Sequence, residues 1–284
     1  MSYEPMAVMM NTDFPGNPDN YIRLEWLDNG AFGEVWKVQH QQTGNIYAAK
    51  EIAYRGHHDD EECIVRERSA LLCLKHDGII KLVDIVVLPS QIWLVEEFAD
   101  LGSLQDAKEL HKTLGDNDKV NLVRQIIQAV QCCHQCRIAH MDINPRNVLL
   151  VSPLTLKLAD FGQALFNVKS IPEGEEYLGD SKYLPPEILC RDKYYPTAVD
   201  IWSLGCVVFY IFAREHIFHG TSKQIIQQQK KYCRTHDLPS CLSGCTLTKS
   251  TRLFLCKTLI HRPQLRPLAD TLEKIANRVG LFES

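Results

Sequence analysis

The spacing of apolar residues changes character near residue 100, and that change limits what this chain can fold into more than any single motif does. From Tyr21 to about Ala99 the text is strand-like. Tyr21–Leu27, Val35–His40, Ile46–Ile52, Lys81–Leu88 and Ile92–Phe98 are short runs rich in β-branched and aromatic residues, bounded by turn signals such as Asp28-Asn29-Gly30 and Thr43-Gly44-Asn45. One helix interrupts them at about Asp60–Lys75, its apolar stripe formed by Ile64, Leu71, Leu72 and Leu74. After Gly102 the period becomes helical: Val120, Val123, Ile126, Ile127 and Val130 mark a helix over Val120–Cys136. Further helices are predicted at Ala198–Arg214, Ser222–Tyr232, Thr248–Thr258 and Pro267–Val279. The pattern predicts an α+β, two-lobed protein. A small β-rich lobe with one key helix covers about 21–98, a hinge about 97–102, and a larger helical lobe about 103–280. Residues 1–20, with Pro5, Pro15, Gly16 and Pro18 and no periodicity, read as a mobile extension.

Composition narrows the function classes. At 284 residues, with 45% hydrophobic and 23% charged residues, the chain can bury a sizeable core. A net charge of −4 argues against a nucleic-acid binder that works through a basic surface. Met1 to Asn20 lacks a basic start followed by an apolar stretch, so it does not read as a secretory signal. The longest apolar run, Ile201–Ala213 with Ser203 inside it, falls short of the roughly 18 residues of a membrane span and reads as a buried helix. The 11 cysteines are scattered and odd in number, which fits free thiols in a reducing cytoplasm or nucleus.

Chemistry enters with Leu27-Asp28-Asn29-Gly30-Ala31-Phe32-Gly33-Glu34-Val35, between two predicted strands. Glycines let backbone pass close over phosphate oxygens, although the same text would serve as a hairpin turn. Tyr47-Ala48-Ala49-Lys50 then ends a strand with a lysine in apolar surroundings, and Glu67 on the following helix could pair with it. Later come His140-Met141-Asp142-Ile143-Asn144-Pro145-Arg146-Asn147-Val148-Leu149-Leu150 and Leu158-Ala159-Asp160-Phe161-Gly162.

In order and spacing over about Tyr21–Val279, these motifs resemble the protein kinase family. The resemblance implies the bilobal kinase fold and transfer of the γ-phosphate of ATP to protein substrates, with Mg²⁺ as cofactor. It implies that Lys50, held by Glu67, contacts the nucleotide phosphates, and that Asp142 orients the substrate hydroxyl. Asn147 and Asp160 would hold magnesium, a hard cation suited to amide and carboxylate oxygens. Gly30, Ala31, Phe32 and Gly33 would cover the phosphates. Leu27, Val35, Ala48 and Leu149 would enclose adenine, and the backbone at Glu97 and Ala99 would hydrogen-bond its edge. Asp200-Ile201-Trp202-Ser203-Leu204-Gly205 resembles the helix that anchors the catalytic loop, and Glu187 and Arg266 match a structural ion pair. Leu71, Leu82, His140 and Phe161 match a hydrophobic stack.

Several residues depart from the family pattern. Asp28 replaces the first loop glycine, implying weaker nucleotide binding. Met141 replaces the arginine that a phosphorylated activation loop neutralises, which removes the usual rationale for phosphorylation at Ser170 or Ser181. Asn144 replaces a lysine that helps hold the γ-phosphate in serine/threonine kinases, while Arg146 stands where many tyrosine kinases place an arginine for that task. Lys182-Tyr183-Leu184 follows the serine/threonine pattern, which is the reading favoured here. Asp180 stands where a threonine bonds the catalytic aspartate, and two adjacent carboxylates would repel. Glu96 stands at the back of the adenine pocket, either paired with Lys50 or displaced by a residue. Positions that bear carboxylates in arginine-preferring kinases are Ser103, Arg146 and Tyr210 here, so no strong upstream arginine preference is expected.

Two other readings stay open. The departures could mark a pseudokinase acting as a nucleotide- or protein-binding scaffold. Cys233, His236, Cys241 and Cys245 have a spacing that could hold zinc, and Cys132, Cys133, His134 and Cys136 form a second cluster.

Overall fold

The computed structural model describes residues 16–30, 33–53, 58–107, 113–174, 177, 179–236 and 247–282. It divides into two compact units, one made of 1–75, 80–100 and 161–163, the other of 76–79, 101–160 and 164–284.

The first unit is an antiparallel sheet with one helix. Its strands are β1 (Tyr21–Gly30), β2 (Gly33–His40), β3 (Ile46–Ala53), β4 (Leu82–Val87) and β5 (Gln91–Glu97), in the order β1-β2-β3-β5-β4; helix α1 (His58–Cys73) lies between β3 and β4 in sequence. Side chains alternate across a strand, so each strand serves two faces. One face carries Tyr21, Val38, Ala49, Val86, Trp93 and Val95, which pack as a core with Trp36, Tyr47 and Leu88. The other carries Ala48, Lys50, Leu94 and Glu96, as the register Ala48↔Glu96 and Lys50↔Leu94 requires. Helix α1 contacts β3 and β4, and of its predicted stripe Ile64, Leu71 and Leu74 are buried while Leu72 is half-buried. Gly33 has a steric reason of its own, because a Cβ there would lie 2.0 Å from the Glu51 carbonyl oxygen. Upstream, Gly16 N–H donates to the Ile85 carbonyl at 3.1 Å, and Pro18–Asn20 form a single 3₁₀ turn leading into β1.

The second unit is mainly helical. It contains α2 (Asp116–Gln135), strands β6 (Ile138–Ala139), β7 (Val148–Ser152), β8 (Thr155–Leu158) and β9 (Leu165–Phe166), then α3 (Pro186–Leu189), α4 (Pro196–Ala213), α5 (Ser222–Thr235), α6 (Lys249–Thr258) and α7 (Ala269–Arg278). Helix α2 buries the residues its period predicted, Val120, Val123, Ile126, Ile127 and Val130 among them. Helix α5 starts on a reciprocal cap, Thr221 N–H donating to Gln224 Oε1 at 2.8 Å while Gln224 N–H donates back to Thr221 Oγ1 at 3.4 Å. Helix α4 is the centre of the unit and touches α2, α6 and β6. With 18 residues and a mean hydropathy of 1.5 it is long and apolar enough to cross a membrane by length and composition, more so than the sequence run suggested, yet 83% of it is buried inside the protein. Gly205 lets α6 approach closely, since a Cβ there would stand 2.5 Å from Thr258 Oγ1. The paired strands β6–β9 and β7–β8 were not foreseen; at two to five residues they are too short to show a period.

Candidate active site

In the first unit the alternation of β3 aims Lys50 at helix α1. Its ammonium donates to both carboxylate oxygens of Glu67 at 2.8 Å each. Lys50 is 6% exposed and Glu67 fully buried, so the pair lies out of water, where each charge depends on the other. Val35 stands opposite Lys50 across β2, and Ala48 opposite Glu96 across β5. Glu96 is buried on the same sheet face as Lys50. Glu97 sends its N–H to the Lys81 carbonyl at 3.0 Å and accepts the Lys81 N–H on its carboxylate at 2.8 Å. Ala99 is buried.

In the second unit a loop between β6 and β7 gathers the polar residues. Its start is pinned by Asp200 of α4: His140 N–H donates to Oδ2 and Met141 N–H to Oδ1, both at 2.8 Å. His134 Nε2 lies 2.8 Å from the same Oδ2. Met141 has φ +71, which a long side chain adopts only under constraint, and these bonds on either side of it supply that constraint. The His140 ring bridges onward. Its Nε2 lies 3.0 Å from the Ala159 carbonyl, which only accepts, so Nε2 carries the proton, and Nδ1 accepts the Asp142 N–H at 3.2 Å.

Asp142 is held at both carboxylate oxygens by neutral amides. Asn144 Nδ2 donates to Oδ1 at 3.0 Å and Asn147 Nδ2 to Oδ2 at 2.8 Å. Each amide also donates to the Asp142 backbone carbonyl, at 3.1 and 2.9 Å. Burial pushes the Asp142 carboxyl above its usual range and the nearby Asp160 adds to this, against the lowering by His140 and the two amides. Asp160 itself sits at φ +61, a conformation that aspartate tolerates better than most residues.

Residues 21–276 match the protein kinase domain. This chain belongs to the protein kinase family. It is 31% identical over 258 residues to a probable serine/threonine-protein kinase of Dictyostelium discoideum, a match covering 89% of this chain and 50% of the relative. It is 32% identical over 206 residues to cyclin-dependent kinase F-4 of Oryza sativa subsp. japonica, covering 72% of this chain and 44% of that one. The chain thus spans about half the length of these relatives.

The other residues carried over from the kinase family fall as follows. Leu27 lies in β1 beside an irregularity in its pairing with β2, and Gly30 pairs with Gly33 at the hairpin's end; Ala31 and Phe32 lie outside the described residues. Leu149 is half-buried in β7, and Arg146 is exposed. Glu187 and Arg266 form the expected bridge, with Nη1 and Nη2 at 2.6 and 2.8 Å from the two carboxylate oxygens. Leu71, Leu82, His140 and Phe161 are all buried.

The structure places several of the departures. Asp180 does not crowd Asp142: it accepts from its own neighbour, Lys182 N–H, at 3.1 Å, and it is not among the charges that raise the Asp142 pKa. Met141 is buried in an apolar cluster with Ala139, Leu184, Ile188, Tyr194 and Val199, and its carbonyl accepts the Tyr177 hydroxyl at 3.1 Å. Asp106 accepts the Ser103 hydroxyl, and at Tyr210 burial raises the hydroxyl pKa with the Asp106 charge adding to it. Tyr177 carried no signal in the sequence, since it acts on a residue 36 positions away, and His134 was noticed only as a candidate metal ligand.

The zinc readings gain no support. Among the described residues no group of three or more His, Cys, Asp and Glu could hold a metal ion. Cys241 and Cys245 lie outside the described residues, and His134 is turned to Asp200.

Proposed function

We propose that this chain is an ATP-dependent protein kinase that transfers the γ-phosphate to serine or threonine hydroxyls. The observation that carries this reading is the Asp142 carboxylate fixed at both oxygens by Asn144 and Asn147. Phosphoryl transfer asks a protein mainly for positioning and charge compensation. A carboxylate that cannot rotate is suited to hold a substrate hydroxyl in line and to take its proton. Lys50, already set by Glu67, would contact the nucleotide phosphates, and the exposed Arg146 would offer them a second cation.

The residues present fit magnesium. Asn147 commits its Nδ2 to Asp142, which leaves its carbonyl oxygen as the ligand atom, and Asp160 adds a carboxylate. Bound magnesium and ATP supply the charge neutralisation and the transferable phosphoryl group. The serine/threonine assignment rests on Lys182-Tyr183-Leu184 and agrees with the printed name of the Dictyostelium relative. Asp106 beside Ser103 and Tyr210 favours some tolerance for a basic residue upstream of the target.

The test is transfer of radiolabelled phosphate from magnesium-ATP to a degenerate serine/threonine peptide mixture. Wild-type protein is expected to label it, and Asp142→Asn to do so about 10²–10⁴-fold more slowly. No transfer by well-folded wild type that still binds ATP would leave the scaffold reading in its place.

A further inference from the structure

Two asparagines contact the same carboxylate, and their remaining atoms are used differently. Both Nδ2 protons of Asn147 go to Asp142, and among the described residues its carbonyl oxygen accepts no hydrogen bond. Asn144 also sends both Nδ2 protons to Asp142, one to the backbone carbonyl and one to Oδ1. Its own Oδ1, however, accepts the Arg146 N–H at 2.9 Å. An amide has two donors and one carbonyl oxygen. Asn144 therefore has no donor left for a phosphate, and it is only 6% exposed. Its carbonyl is tied to the backbone of the same loop, so the amide cannot flip without losing that bond.

We propose that Asn144 is the positioning residue that sets the direction of the Asp142 carboxylate, in place of any contact with the nucleotide. The inference rests on the kinase reading for its consequence in turnover, but the contact itself does not. Asn147 fixes Oδ2 from one side and Asn144 fixes Oδ1 from the other. Losing either lets the carboxylate turn about its terminal torsion, which is broad for aspartate. Misplacing a reacting group by about 1 Å can cost on the order of 10²-fold in rate.

The test compares wild type with Asn144→Ala in three measurements. Turnover is expected to fall about 10- to 100-fold, while KM for ATP and the affinity for a fluorescent ATP analogue stay within about twofold. In an Asp142→Asn background, Asn144→Ala should reduce residual turnover no further. In the nucleotide-free protein, the Asn144 side-chain amide proton resonances should shift upfield on Asp142→Ala.

A rise in KM and loss of analogue binding in step with turnover would overturn the proposal, since that is the signature of a phosphate contact. Unchanged turnover in Asn144→Ala would overturn it too. If Asn144→Ala does not fold, Asn144→Asp decides the matter, being isosteric and still able to accept the Arg146 N–H while donating nothing to Asp142. If wild type transfers no phosphate, the kinase reading fails separately. The amide resonances then decide the contact: a shift on Asp142→Ala supports it, and no shift sinks it.

Discussion

In the β3–α1 region a buried carboxylate, Glu67, faces an ammonium, whereas in the second unit the half-buried Asp142 of the β6–β7 loop and the buried Asp200 of α4 face N–H groups and, at Asp200, the His134 ring. Both arrangements satisfy acid out of water, but they depend on different things. The Lys50–Glu67 pair joins a strand to a helix through two long side chains, so it lasts only while α1 keeps its place. The Asp142 clamp is made by residues two and five positions away in the same loop, and no cation is needed to complete it. Neutral donors fixed by the backbone cost little reorganisation, which suits a group that must already point the right way when substrate arrives. Met141 fits the same logic. Its side chain is held without any charge, by apolar packing with Leu184, Ile188, Tyr194 and Val199, and its carbonyl by the Tyr177 hydroxyl.

The comparison can be broken most directly at the ion pair. Lys50→Met takes away the ammonium that donates to both oxygens of the fully buried Glu67 carboxylate, and is expected to cost about 3–5 kcal/mol in urea unfolding. Lys50→Met combined with Glu67→Leu should recover most of that loss, because an apolar pair of similar size suits the site. A single variant as stable as wild type would show that the pair is not buried as described.

Asp200→Ala tests the other mode. It orphans the His140 and Met141 N–H groups, and the expected loss is about 2–6 kcal/mol, at roughly 1–3 kcal/mol per buried donor. Asp200→Asn keeps one carbonyl acceptor and should lose less. Equal effects from the two substitutions would mean that charge, and not acceptor count, holds the loop.

The smallest effect sharpens the contrast at Glu51, which is buried and bonded to Arg23 through Oε2 while Oε1 has no hydrogen-bond partner. Burial raises its pKa above 4.5 in spite of Arg23. The folded state therefore holds the Glu51 proton more tightly than the unfolded one. The stability this contributes is fully present below about pH 4.5 and is lost as pH rises through the raised folded value. Glu51→Gln should flatten that part of the melting-temperature profile and, near pH 7, change stability by no more than about 1 kcal/mol. A steeper profile in the variant would mean that Arg23 outweighs burial.

Much of this was legible in the order of residues. The strands of the first unit and the longer helices of the second follow directly from period-two and period-3.6 spacing, and their ends were off by a few residues at most. Lys50, Glu67, Asp142, Asn147, Glu187 and Arg266 were legible through motif text, and the two expected pairs, Lys50–Glu67 and Arg266–Glu187, are present; the Asn147–Asp142 hydrogen bond was not foreseen. The part that failed concerned direction. Asp180 looked adjacent to Asp142 by motif position, but a loop side chain points where its local turn sends it, here back to Lys182.

What the amino-acid sequence determined by itself was the set of elements and the chemical types available to the site, because periodicity and residue identity are local properties. Only the tertiary structure decided which donors meet which acceptors: that Asn144 spends its amide on Asp142, that Tyr177 reaches the Met141 carbonyl, and that Asp200 takes the His140 and Met141 N–H groups. The reason is physical. A hydrogen bond is set by ångström-scale distance and angle, and those are fixed only once the helices and strands carrying the groups have packed.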